Sequence, residues 1–296
     1  MGAGLSMAAP WHTRPRTWPV WALPRRLVGY IFSVVVVYLA AVAVAAYAAP
    51  FRFSNLLLFT ALLACTAVTV ELNRRAGENS GGVIKDVYGI WDLPLAILLP
   101  PVYAMLAPAI RFTLLQWRIR HLPVHRRVFT AAAVGLSYGA ASVAFHALFP
   151  GAAGPIGMHW PHAAAWVLAV AAAGVLQWAT NSALVLTAVK GSDPTASIRA
   201  MVLDRVSLEN DLGELCVAVI VTIGVAVSAF SLVFAVPIVT FLQRSFRHRQ
   251  LVNASRVDSK TGLLNAGTWE REASSEVARA VRTRSPLAVA LIDIDH

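Results

Sequence analysis

Two aspartates, Asp293 and Asp295, close a short apolar, β-branched run, Leu287–Ile292, and carry the most specific chemistry in the sequence. Such a run reads as a buried strand, and open α/β sheets place ligand sites at the carboxyl ends of their strands. Two carboxylates there suit Mg2+, which binds through one or two carboxylates together with substrate phosphates. A solvated strand end is the plainer alternative. Upstream, Asp258-Ser259-Lys260-Thr261-Gly262-Leu263-Leu264-Asn265 precedes a stretch of helix formers that reaches Thr283. Asn265 is expected to cap that helix, because its side chain can accept from the first orphaned backbone N–H groups.

The other polar residues of interest lie within or beside apolar runs, where ionisable groups are functional candidates by default. Asp92 follows Trp91 and precedes Pro94; it is read as an inner-interface residue near Lys85, with a cavity-lining role as the alternative. Glu71, beside Asn73 and Arg74, reads as an interface residue. Asn181 is deeper in its run and is expected to bond a neighbouring helix. Glu209, Asp211 and Glu214 are expected to pair with Arg-rich loops. His146, His159 and His162 flank one loop and could bind a metal or sense pH, but their spacing matches no standard site and loop solvation is the simpler reading. Cys65 and Cys216 are isolated thiols inside apolar runs, read as buried small hydrophobes rather than a disulfide or metal site.

The elements that must position these residues are membrane helices. The 296 residues are 57% hydrophobic and 14% charged, and mean hydropathy is +0.63; soluble domains carry about 25% charged residues. The net charge of +10 comes mostly from arginines that sit between apolar runs. Positive-inside bias puts them there, and no nucleic-acid partner is expected. Leu27–Ala49 is too long for a signal-peptide core of about 7–15 residues. It reads as an uncleaved first span, with residues 1–26 as a cytoplasmic N-terminal segment.

Further apolar runs cover Ser54–Glu71, Val87–Trp117, Val128–Phe149, His162–Val189 and Leu212–Leu242. Val87–Trp117 is broken by Pro94, Pro100, Pro101 and Pro108, and Leu212–Leu242 holds Ser228, Ser231 and Pro237. If each run crossed once, the Arg111–Arg127 segment would face outward, against the positive-inside rule. If the two broken runs are helix-break-helix hairpins, every Arg-rich connection is cytoplasmic. Only the Pro50–Phe53 turn and the Pro150–Pro161 loop then face out. The hairpin arrangement is preferred, with Pro100-Pro101 as the apex of the first. Both arrangements leave the C-terminus inside, so a multi-pass cell-membrane protein with cytoplasmic N- and C-termini is expected.

From Arg244 the composition turns polar. Residues 27–243 read as an integral membrane sensor region, 244–257 as a signalling helix or linker, and 258–296 as the start of a soluble domain. A helix followed by a buried strand suggests an α/β domain. The fold class expected is therefore mainly α: a polytopic α-helical membrane domain followed by the first helix and strand of an α/β domain.

The stretch from Asp258 to Asn265, followed by a first strand ending in Asp293-Ile294-Asp295, resembles the opening of GGDEF domains, the diguanylate cyclase family. The layout of the membrane half is loosely similar to multi-helix sensor regions attached to such domains. The resemblance covers the last part of the chain only. It implies a homodimeric enzyme that condenses two GTP into cyclic di-GMP with Mg2+ or Mn2+. Asp293 would be a metal-binding carboxylate, the Ile294 backbone carbonyl a further ligand, and Asp295 a supporting residue. The ions would neutralise the triphosphate and assist attack of a 3′-hydroxyl on the partner nucleotide's α-phosphorus. Lys260 and Ala266 stand where the family usually has leucine and arginine. The resemblance further implies that the chain stops before the GG(D/E)EF turn, so the fragment itself is expected to lack catalysis and to hold no cofactor. The alternatives are a degenerate GGDEF scaffold that binds cyclic di-GMP, and a membrane transporter.

Overall fold

A computed structural model describes residues 19–75, 88–118, 123–151, 154–195, 197–202, 205–254, 261 and 263–290. Asp293, Ile294 and Asp295 lie outside the described residues, as does Lys85. The helices are α1 (Arg25–Ala48), α2 (Phe53–Arg75), α3 (Asp92–Leu98), α4 (Pro101–Arg118), α5 (Val124–Leu148), α6 (Trp160–Ser192), α7 (Ile198–Val202), α8 (Arg205–Val227), α9 (Ser231–Ala254) and α10 (Ala266–Thr283). The chain divides into two compact units, residues 1–241 and 242–296.

Five helices, α1, α2, α5, α6 and α8, are long and apolar enough to cross a membrane. The first unit is thus a multi-pass membrane bundle. Its outer surface confirms the solvent for which it is built. Val44, Leu168, Ile220, Val233 and Phe234 are all exposed, a belt of large apolar side chains that water would not tolerate and lipid does. Two buried threonine hydroxyls on the spans are satisfied by their own helices: Thr66 donates to the Leu62 carbonyl at 3.0 Å and Thr222 to that of Ala218 at 2.7 Å. In hydrocarbon this is the cheapest way to carry a polar side chain.

Proline punctuation sets the breaks. Pro24 precedes α1, and Ala49 leaves it in an extended conformation just before Pro50. Leu99, forced extended by Pro100, separates α3 from α4, and Pro101 opens α4 where a missing N–H is harmless. The Val87–Trp117 run is therefore a broken hairpin whose apex is the proline pair. The Leu212–Leu242 run breaks at residues 228–230, between α8 and α9.

At the centre stands α5, whose most apolar stretch is 61% buried, against 22% for α1, α6 and α8. It packs on α1, α3, α4 and α6. Small residues permit the approach. A Cβ on Gly135 would stand 2.9 Å from the Met105 carbonyl oxygen of α4, the close packing by which membrane helices associate without a hydrophobic driving force. Tyr38 of α1 reaches the same carbonyl with its hydroxyl at 3.0 Å. Trp91, Trp166, Phe145 and Leu62 fill the core.

Contacts also sort the ends of the bundle. Gly154, in the loop before α6, lies against Ala226 at the end of α8, while Gly191 at the end of α6 lies against Leu27 at the start of α1. One end therefore carries the Ala49–Phe53 turn, the residue 149–160 loop and the α8–α9 break; the other carries Arg25, Arg26 and Lys190.

In the second unit, Asn265 caps α10 with its side-chain oxygen accepting from the Thr268 N–H at 2.9 Å. Arg284 ends the helix in the left-handed region at φ 51°, and its N–H returns to the Ala280 and Val281 carbonyls. No strand is present among the described residues. Of the expected strand at Leu287–Ile292, residues 287–290 belong to no regular element, and the last two lie outside the described set.

Candidate functional site

The hairpin places a carboxylate and a guanidinium together inside the bundle. Asp92 opens α3, directly after the 3-10 turn Tyr88–Trp91, and Arg111 lies midway along α4. Arg111 Nη1 donates to Asp92 Oδ2 in an ion pair. Asp92 is 1% and Arg111 5% exposed. Burial of both charges is tolerated because each neutralises the other; either alone at this depth would be prohibitive. The Arg111 guanidinium also lies 4.9 Å from the Phe112 ring centroid, and Arg127 of α5 approaches the same ring at 5.6 Å.

The turn before Asp92 is held from two further helices. Tyr138 of α5 donates to the Gly89 carbonyl at 3.1 Å. Glu214 of α8 lies so close that a Cβ on Gly89 would stand 2.7 Å from its Oε1 and 2.9 Å from the Tyr138 hydroxyl. Beside Asp92, the Trp91 indole N–H is buried without an acceptor. One turn of α8 before Glu214, Asp211 accepts from Trp178 Nε1 of α6 at 2.9 Å. Acids on α3 and α8, the base on α4 and the tyrosine on α5 thus form a polar centre that joins four helices. Such a centre stores charge and hydrogen bonds, but it exposes no nucleophile. It is suited to holding one arrangement of helices against another.

Two expectations change here. Asp92 is not at the inner interface: it is buried against Arg111. Arg111 itself belongs not to the Arg-rich connection but to the interior of α4. The signal was available in the numbering. At 1.5 Å per residue, Asp92 and Arg111 lie about 12 and 15 Å along their arms from the proline apex, so a hairpin brings them to similar depth. The neighbouring Arg118, Arg120, Arg126 and Arg127 obscured it, because they made Arg111 read as the first member of a surface cluster.

The remaining candidates are placed separately. Glu71 is half-buried near the end of α2, and Glu209 is exposed on α8. Asn181 Oδ1 is buried with no partner, so the interhelical bond expected of it is not formed through that atom. Asp211 bonds a tryptophan of α6, a partner no loop reading would have suggested. His146 is anchored within α5, its Nδ1 at 2.8 Å from the Ser142 carbonyl, while His159 and His162 are exposed around the start of α6. No group of three or more metal-ligating side chains occurs among the described residues. The two cysteines expected to be buried differ: Cys65 is half-buried on α2 and Cys216 is exposed on α8. Comparison of the chain with protein-family models, curated proteins and solved structures gave no match.

Proposed function

We propose that the chain is the membrane sensor region of a diguanylate cyclase, with the cytoplasmic catalytic domain beginning at Asp258. The observation that carries this reading is the pairing of a helical membrane bundle with the Asp258–Asn265 motif, whose last residue caps α10. In this reading the end of the bundle with Arg25, Arg26, Arg126, Arg127 and Lys190 faces the cytoplasm, as positive-inside bias requires. The opposite end carries a single formal charge, Arg52. Both termini are then cytoplasmic and the protein resides in the cell membrane.

The device for signalling is the re-entrant helix α3. It packs against α8, and α8 leads through the 228–230 break into α9, which continues to Ala254. A stimulus that favours one position of α3 would shift α8 and α9, and through them the pairing of two catalytic domains in a homodimer. Such coupling requires differential contacts in two states, and the Asp92–Arg111 pair with Tyr138 and Glu214 supplies a centre that can be made or broken. Asp293 and the Ile294 carbonyl are the metal ligands of this proposal; the bound Mg2+ or Mn2+ would supply charge neutralisation for GTP.

The test is to express the full-length gene product and assay conversion of GTP to cyclic di-GMP. A degenerate scaffold would bind cyclic di-GMP without making it. A transporter is favoured by one observation, the broken hairpin with a buried charge pair. It would move solute in vesicles and show neither nucleotide activity.

A further inference from the structure

A cavity of about 1020 Å³ opens at the Arg-poor end of the bundle, between α1, the α1–α2 turn, the hairpin apex and the end of α5. Small-molecule sites occupy about 300–1,000 Å³ and combine mainly apolar walls with a few polar groups. Here the apolar wall has a sequence cause. Val37, Ala41, Ala45 and Ala48 repeat at helical spacing on one face of α1, and all four line the cavity. Alanine at these positions leaves unfilled the space that larger side chains would close. Pro100 and Pro101 form the facing wall, and their rings cannot move inward without unmaking the hairpin. From Val37 to Ala49 the wall extends about 18 Å along the helix axis at 1.5 Å per residue, a slot rather than a bowl.

The polar groups are few and of one character. Arg52, Asn55 and His146 line the same cavity. Arg52 is the one formal charge between Leu27 and Val70, and neither residues 93–110 nor 128–189 contain another. No carboxylate therefore stands near in sequence to neutralise it, and its side chain makes no ion pair among the described residues. Asn55 adds amide donors. The site thus presents a long apolar slot with a cation and further hydrogen-bonding groups toward one end, the complement of an acyl chain with an anionic head.

We infer that this cavity binds a single-chain anionic amphiphile, a fatty-acid-like carboxylate, with its tail along α1 and its head at Arg52. The end of α3 is part of the wall through Ile97 and Leu98, while the start of α3 is Asp92 of the buried ion pair. A seven-residue helix is therefore touched by the ligand at one end and anchored by the charge pair at the other. Binding does not depend on which domain follows the bundle, so the site can fail while the cyclase assay succeeds, and the reverse.

The experiment uses the full chain in phosphatidylcholine nanodiscs and dodecanoate carrying a photoreactive diazirine in its tail. Labelling is expected on peptides from Val37–Ala49 and the Leu98–Met105 apex, competed by dodecanoate but not by dodecanol at the same concentration. Arg52→Gln should weaken competition about tenfold or more, the loss typical of a charge-assisted hydrogen bond. Ala45→Trp should fill the slot and abolish labelling with the thermal melt unchanged. Labelling spread evenly over the outer faces of α6 and α8, or equal competition by dodecanol, would overturn the assignment. So would displacement by phosphatidylglycerol at lower concentration than dodecanoate, which would give the site to a lipid headgroup. Because Arg52 is exposed, its variant keeps the test decisive if the tryptophan variant does not fold.

Discussion

Asp92 and Arg111 form a buried ion pair across the two arms of a single hairpin. The pair ties a helix of seven residues to one of eighteen, so its chief structural effect is to fix the depth and rotation of the shorter one. Removing either partner would leave an uncompensated charge in the bundle. Asp92→Leu or Arg111→Met alone should destabilise the protein by about 3–5 kcal/mol, read as loss of the folded, monodisperse fraction on heating in detergent. The double replacement should recover most of that stability, because two apolar groups need no counter-charge. Additive losses would show that the two side chains act independently.

The turn that precedes Asp92 offers a second test. Tyr138→Phe removes the hydrogen bond to the Gly89 carbonyl and should cost about 0.5–1.5 kcal/mol. Gly89→Ala should cost more, because its methyl would meet both Glu214 Oε1 at 2.7 Å and the Tyr138 hydroxyl at 2.9 Å. Thermal unfolding of the two variants side by side gives the order. A harmless Gly89→Ala would mean that Glu214 does not pack there.

On α5, two glycines four residues apart should differ in tolerance. A methyl at Gly135 would meet the Tyr38 ring of α1 at 2.5 Å and the Met105 backbone carbonyl, which cannot yield, at 2.9 Å, whereas the nearest atoms to one at Gly139 all belong to the Met105 side chain. Methionine is flexible and can repack. Gly135→Ala should therefore be destabilising by about 1–3 kcal/mol and Gly139→Ala by clearly less. The reverse order in melting experiments would contradict the described packing of α1 and α4 against α5.

Much of this architecture was legible in the sequence, and the reasons are physical. A proline pair removes two successive backbone donors and extends the residue before it, so Pro100-Pro101 marked the hairpin apex and Pro50 the end of α1, whereas the single Pro108 and Pro237 lie within α4 and α9 without ending them. Asn265 was legible as a cap because capping depends on local chemistry alone. The polar centre was not legible. Arg111 reads as surface charge when counted with its neighbours, and Trp178 carries no sign of its bond to Asp211, because interhelical partners depend on how distant spans rotate against each other. The cavity was equally hidden. The alanines of α1 read as ordinary span residues until the apex prolines and His146 were placed opposite them.

Orientation can be measured directly. In a background with Cys65→Ala and Cys216→Ala, a cysteine at Ile156 should react with a membrane-impermeant maleimide in intact cells, and one at His125 only after permeabilisation. Ile156 is exposed in the loop at the Arg-poor end, and His125 begins α5 at the opposite end. Reaction of His125→Cys in intact cells would invert the bundle and place the second unit outside the cytoplasm.

The most direct measurement is of cyclic di-GMP made from GTP and Mg2+ by the purified full-length gene product. The account predicts product from it and its loss in Asp293→Asn, with the membrane bundle melting as before. Asp92→Leu/Arg111→Met should retain the fold while altering the rate, because it removes the polar centre without unfolding the hairpin. Absence of product from the well-folded full-length protein, or full activity in Asp293→Asn, would contradict the proposal.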